Sequence, residues 1–134
     1  MPIIYQKWIT RADLKANPGK LYVFGDNLER AGYGGQAKEM RGEPNAIGIA
    51  TKFSPYLHDS AFFTDARYDE IWNKIEDDLY VLVEPLKEGW DVVWPEGGIG
   101  SGLSQMPTRC PKLWKSLQDG IVILQNIGEW RSTA

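Results

Sequence analysis

Two stretches of the chain combine glycine with groups that bind ligands or move protons. The first, GDNLERAGYGGQA at 25–37, sets Asp26 beside Asn27 directly after the apolar run Leu21-Tyr22-Val23-Phe24. An ionised Asp26 accepts two hydrogen bonds from a sugar diol or activates a water, and the Asn27 amide both donates and accepts. The same residue types also close Asx turns on their own loop, which is the structural alternative for both. The second stretch, PEGGIGSGLSQMP at 95–107, follows the apolar run Trp90-Asp91-Val92-Val93-Trp94. Glycine adopts positive φ readily and, lacking Cβ, lets backbone N–H groups close on an anion. Neither stretch is a nucleotide fingerprint by itself. GYGGQA is out of register with GxGxxG, and no GxxxxGK followed by Ser or Thr is present.

Other groups carry weaker signals. Lys52, in Ala50-Thr51-Lys52 at a strand end, is placed to pair with a phosphate or a carboxylate, and Thr51 beside it offers a strand-end hydroxyl. Ser101 reads as a phosphate donor rather than a nucleophile, because no histidine lies near it in a triad-like motif. His58 falls in a Ser/Pro/Asp-containing loop, where a solvated side chain is the simpler reading. Glu96 is a surface or ribose-side carboxylate before it is a general base. Arg109 and Lys112 read as surface charges near the start of a helix. No paired carboxylates and no complete nucleophile–base–orienter set emerge, so binding outweighs catalysis.

The bulk properties narrow the classes. The 134 residues suit one domain, 1–134, and the hydrophobic and charged fractions, 43% and 25%, are ordinary for a globular chain. With 15 basic and 18 acidic side chains, a net charge of -3 and no Lys/Arg block, phosphate-backbone binding to nucleic acid is not expected. A single cysteine, Cys110, and a single histidine, His58, exclude an internal disulfide, a cysteine cluster and HExxH, so neither metal nor cofactor is expected. No signal-peptide core and no apolar run near about 18 residues occur, so the expectation is a cytoplasmic protein without membrane contact. Six tryptophans and six tyrosines leave room for a ring-stacking or partner-docking surface. Interface and core aromatics look alike here, which leaves the oligomeric state open.

The elements that would position these residues follow from pattern. Residues 9–16 read as a short helix capped by Thr10, and 20–24 as a strand covered on both faces. A helix is expected from near Gly35 to Arg41, then a strand over 46–50. From Asp65 to Lys87, Tyr68, Ile71, Ile75, Leu79, Leu82 and Leu86 recur at helical spacing, with Thr64 or Asp65 as cap. Residues 90–94 form a strand, a final helix runs from Pro111 to Asp119-Gly120, and Gly120–Leu124 reads as a last strand. Alternating strands and helices predict an α/β domain with a mixed central β-sheet flanked by helices. Ligands in open sheets of this kind bind at the carboxyl ends of strands, where both glycine loops fall.

Three blocks, VFGDNLERAGYGGQA, NAIGIATK and VVWPEGGIGSGL, resemble the macro-like domains of bacteriophage and bacterial genomes. They cover roughly 20–52 and 90–104. The resemblance implies a macrodomain-like fold that holds ADP-ribose over a sheet. It places Asn27 at ribose hydroxyls, with Asp26 adjacent where the larger family usually has a small residue. It assigns Gly25, Gly32, Gly34 and Gly35 to the first ligand loop, and Gly98, Ile99, Gly100, Ser101, Gly102 and Leu103 to a diphosphate loop. The function so implied is binding of an ADP-ribose-like nucleotide, in a phage setting as a sink for a nucleotide immune signal in host cytoplasm. The enzymatic alternative is a hydrolase that removes ADP-ribose or a phosphate, with Asp26 and Asn27 as catalytic residues. A third reading is a protein-interaction domain.

Overall fold

Apolar strand cores and amphipathic helices assemble a three-layer sandwich whose upper rim carries both glycine loops. The computed structural model describes residues 3–133, with side chains described from 3 to 128. Its strands are β1 (Ile3–Gln6), β2 (Leu21–Asn27), β3 (Ala46–Lys52) and β4 (Val92–Pro95). They form one sheet in the order β1-β4-β2-β3, and every pairing between them is parallel. The α/β expectation therefore holds, but the sheet is parallel among the described residues rather than mixed. Each strand returns through a crossover that includes helix, which leaves no hairpin to reverse a neighbour.

Alternation along β2 separates the two cores. Tyr22 and Phe24 pack with Ile9, Leu14, Ala37 and Met40 beneath α1 (Arg11–Ala16) and α2 (Ala37–Met40). Val23 packs on the opposite face with Ile49, Val92, Trp94 and the buried stripes of the longer helices. Helix α1 starts as expected: the Thr10 hydroxyl accepts from the Asp13 N–H, and the Asp13 carboxylate accepts from the Thr10 N–H. This reciprocal capping box satisfies two of the free donors at the helix start.

Three elements differ from the sequence reading. The helix expected over 65–87 is divided into a 3₁₀ turn (Asp65–Arg67), α3 (Tyr68–Tyr80) and α4 (Val83–Lys87). Pro85 supplies the reason. It lacks an N–H for the Val81 carbonyl four residues back, and its ring crowds that carbonyl, so the helix turns at Val81-Leu82. Asp65 does not cap this segment. Its carboxylate accepts from the Lys112 and Leu113 N–H groups at 2.9 and 3.0 Å, tying down the start of α6 (Pro111–Thr133), which follows the short α5 (Met106–Arg109).

The strand expected over Gly120–Leu124 is instead the continuation of α6. Leu113, Leu117, Ile121 and Leu124 are buried at helical spacing, while Val122 and Ile123 are exposed. Gly120 does not stop the helix because α6 crosses α3 there, with Leu79 filling the space a side chain would need. Strand β1 was not anticipated. It pairs residue by residue with β4, from Ile3 beside Val92 to Gln6 beside Pro95. Among the described residues no helix is long and apolar enough to cross a membrane.

Candidate functional site

Strand β2 extends to Asn27, so the Asp26-Asn27 pair belongs to the strand end rather than to a loop tip. The pairing with β3 slips there: Asp26 lies opposite Ala50, but Asn27 lies opposite Lys52. This bulge leaves Thr51 as the extra residue and sets Lys52 beside Asn27. Bulges commonly re-aim side chains at a sheet's functional end.

A two-lobed cleft opens over the carboxyl ends of β2, β3 and β4. The first lobe, about 80 Å³, is walled by Asp26, Asn27, Gly32, Arg41, Lys52 and Pro55 among others. The second, about 150 Å³, is walled by Gln36, Pro95, Gly98, Ile99, Gly100 and neighbouring loop residues. Gly25, Gly34, Leu103 and Ser104 border both. The half-exposed Leu103 stands between them, with its side chain against Gly34. A larger groove of about 320 Å³ lies between α3, α4 and α6, but its walls are mostly apolar, Trp72, Leu79 and Tyr80 among them, with Glu76 and Lys87 its charged members. Convergent polar groups mark a ligand site better than size alone, and the cleft gathers Asp26, Asn27, Arg41 and Lys52 on one wall.

Gly25, Asp26, Asn27, Gly32, Gly34, Gly35, Lys52, Gly98, Ile99, Gly100, Gly102 and Leu103 all border this cleft. Thr51 and Ser101 do not. The buried Thr51 hydroxyl donates to the Asp26 carbonyl at 3.1 Å and shares a 2.5 Å hydrogen bond with Ser104, stitching β3 to the second loop. The Ser101 hydroxyl donates back to the Gly97 carbonyl. Glu96 and His58 also lie outside the walls, and no aromatic ring lines either lobe among the described residues.

The Asp26 carboxylate is buried and fully engaged. One oxygen receives Arg41 Nη2 at 2.5 Å and the Asn27 N–H at 2.8 Å, while the other faces Arg30 Nη1 at 3.5 Å. Arg30 in turn forms a two-point pair with Asp78 at 2.7 and 2.9 Å. Burial pulls the Arg30 guanidinium down, but Asp78 and Asp26 outweigh it and hold it above its ordinary value. Arg41 also donates to the Gly32 and Ala31 carbonyls, so a single guanidinium fixes the first loop to the strand end. Gly48 on β3 admits this arrangement, because a Cβ there would lie 2.4 Å from the Asp26 carboxylate.

Asn27 is also held locally. Its amide donates to the Ala31 carbonyl at 2.7 Å and its oxygen lies 3.5 Å from the Ala31 N–H, closing the turn. The second loop differs in kind. Ile99 and Gly100 are buried, yet their backbone N–H groups meet no acceptor among the described residues, and those of Ser101–Ser104 are likewise unpaired. Buried donors without partners are uncommon in native folds. No charged side chain lines this second lobe.

Arg41, Arg30, Asp78 and Ser104 were not singled out from sequence. Arg41 ends a one-turn helix and Asp78 lies on α3, so only the fold brings Arg41 to Asp26 and Asp78 to Arg30. Cys110 lies away from the cleft and is buried, and burial, then the Asp65 charge, push its thiol up to about 12. The native thiol is expected to resist alkylation at pH 8 and to react once the chain is denatured. The raised value also means that stability from the neutral thiol is present below its ordinary value of 9.0 and is lost as pH climbs towards 12. A native thiol that alkylates as fast as the denatured one would refute the burial.

The model of a family of unknown function, DUF7831, matches residues 4–120, and the chain belongs to that family. No curated protein and no solved structure matches it.

Proposed function

We propose that this member of the DUF7831 family binds an ADP-ribose-like nucleotide in the two-lobed cleft. The observation that carries the reading is the run of unpaired backbone N–H groups from Ile99 to Ser104, two of them on buried residues. Successive backbone donors in a glycine-rich turn hold phosphate oxygens without needing a charged side chain. That suits a lobe whose walls carry no charge. The likeness of the three sequence blocks to macro-like domains supplies the identity of the nucleotide, with the sugar end at Asp26 and Asn27.

Binding is favoured over hydrolysis because both candidate catalytic groups are already held. Asp26 is paired with Arg41 and Arg30, and Asn27 closes its own turn. Calorimetric titration of the full chain with ADP-ribose is expected to give saturable heat with one site per chain. At about 100 times the dissociation constant the ligand would stabilise the fold by about 2.7 kcal/mol, visible as a raised melting temperature. No heat and no thermal shift at millimolar ADP-ribose would reject the reading.

A further inference from the structure

The first lobe carries a charge imbalance. Asp26 and Arg41 in its wall, with Arg30 and Asp78 behind them, alternate in sign and close on one another. Lys52 is left over. Only 6% exposed, it borders the lobe and pairs with no carboxylate among the described residues. Its ammonium donates to the Tyr56 carbonyl at 2.6 Å and lies 4.4 Å from the centre of the Phe62 ring. Neither neutralises it, and two of its three protons have no acceptor among the described residues.

Its other charged neighbour makes matters worse. Arg109 sits 3.7 Å from the same Phe62 ring, and its own partner, Asp59, is an exposed carboxylate. Burial, then Arg109, hold Lys52 below the usual lysine range. A buried cation without a counter-charge is expensive unless something else supplies one. Arg41 adds unused capacity on the same wall, since its Nε and Nη2 donate within the protein while Nη1 meets no acceptor among the described residues.

We propose that the first lobe is a subsite for a phosphomonoester, held by Lys52 Nζ and Arg41 Nη1, so that the sugar end of the ligand carries a terminal phosphate there rather than a free hydroxyl. A phosphomonoester brings close to two negative charges at pH 7 and three acceptor oxygens. Those match one surplus cation and several open donors better than a diol does. The identity of the remaining ligand rests on the nucleotide reading above; the anion subsite does not.

The test uses the full chain and inorganic phosphate, titrated against acetate at constant ionic strength and read by calorimetry and melting temperature. Phosphate is expected to bind saturably and at least tenfold more tightly than acetate. Lys52→Met should lose at least tenfold of that affinity, and Lys52→Arg should keep most of it. If Lys52→Met does not fold, acylation of Lys52 in the native wild-type chain, followed by mass spectrometry, decides instead, because bound phosphate should protect that amine. Phosphate no better than acetate, unchanged affinity in Lys52→Met, or unprotected Lys52 would each overturn the subsite. ADP-ribose in the same assay separates the two ideas. Phosphate binding without ADP-ribose binding sinks the nucleotide reading alone, whereas ADP-ribose binding without phosphate binding sinks the subsite alone.

Discussion

Asp26→Ala is expected to destabilise the chain by about 3 kcal/mol, in the lower part of the range for breaking a buried ion pair. Removing the carboxylate leaves Arg41, whose side chain is mostly buried, without its counter-charge, and strips the Asn27 N–H of its acceptor. The loss stays near the lower end because Arg41 keeps the Ala31 and Gly32 carbonyls and Arg30 keeps Asp78. Asp26→Asn retains an oxygen for Arg41 but only a neutral one, so it should cost roughly half as much. Urea unfolding of both variants measures this. If Asp26→Ala matched or exceeded the wild type in stability, the carboxylate would be a group held under strain for chemistry, and its scaffold role would be wrong. The consequence for function is specific. Loss of nucleotide binding in Asp26→Ala would reflect a slackened first loop, and Asp26→Asn should recover most of it.

Gly100→Ala is the second large effect. The residue has φ +83, and a Cβ there would meet Met106 Sδ at 2.6 Å and Trp114 at 3.3 Å. The left-handed backbone costs an L-residue roughly 1–2 kcal/mol, and overpacking adds about 1–3 kcal/mol. Met106 has little freedom to yield, because it is fully buried and its N–H is bonded to the Gly100 carbonyl. A loss of about 2–5 kcal/mol is therefore expected, together with the displacement of the unpaired donors at Ile99 and Gly100. Gly97→Ala in the same loop is the control. Nothing lies within 4 Å of its added Cβ, so its effect should stay within about 0.5 kcal/mol. Equal unfolding midpoints for the two variants would refute the packing argument.

The parts of the fold legible in sequence were those with a local cause. Thr10 and Asp13 specify their helix start through a capping box that spans the four residues 10–13. The apolar runs in β2 and β4 announce strands, and the glycine that follows each announces where the cleft's backbone lies. Where two states share one local pattern, the reading failed. Gly120–Leu124 is a short apolar run that fits a strand or a buried helix equally well, and it is the contact with α3 that makes it helix. The helical stripe over 65–87 is unbroken, yet the missing N–H of Pro85 within it is enough to divide the helix.

The candidate site divides along the same line. The sequence by itself determined the chemistry available at the strand ends: two glycine loops, Asp26 and Asn27, and Lys52 at the end of its strand. The tertiary structure decided what each of these is free to do. Arg41 and Arg30 reach Asp26 from 15 and 4 residues away, and Asp78 reaches Arg30 from 48. The two longer-range pairs, Arg41 with Asp26 and Asp78 with Arg30, join side chains that only folding brings together, so no spacing rule encodes them. They neutralise the carboxylate that looked most reactive, and they leave charged the lysine whose environment no motif describes.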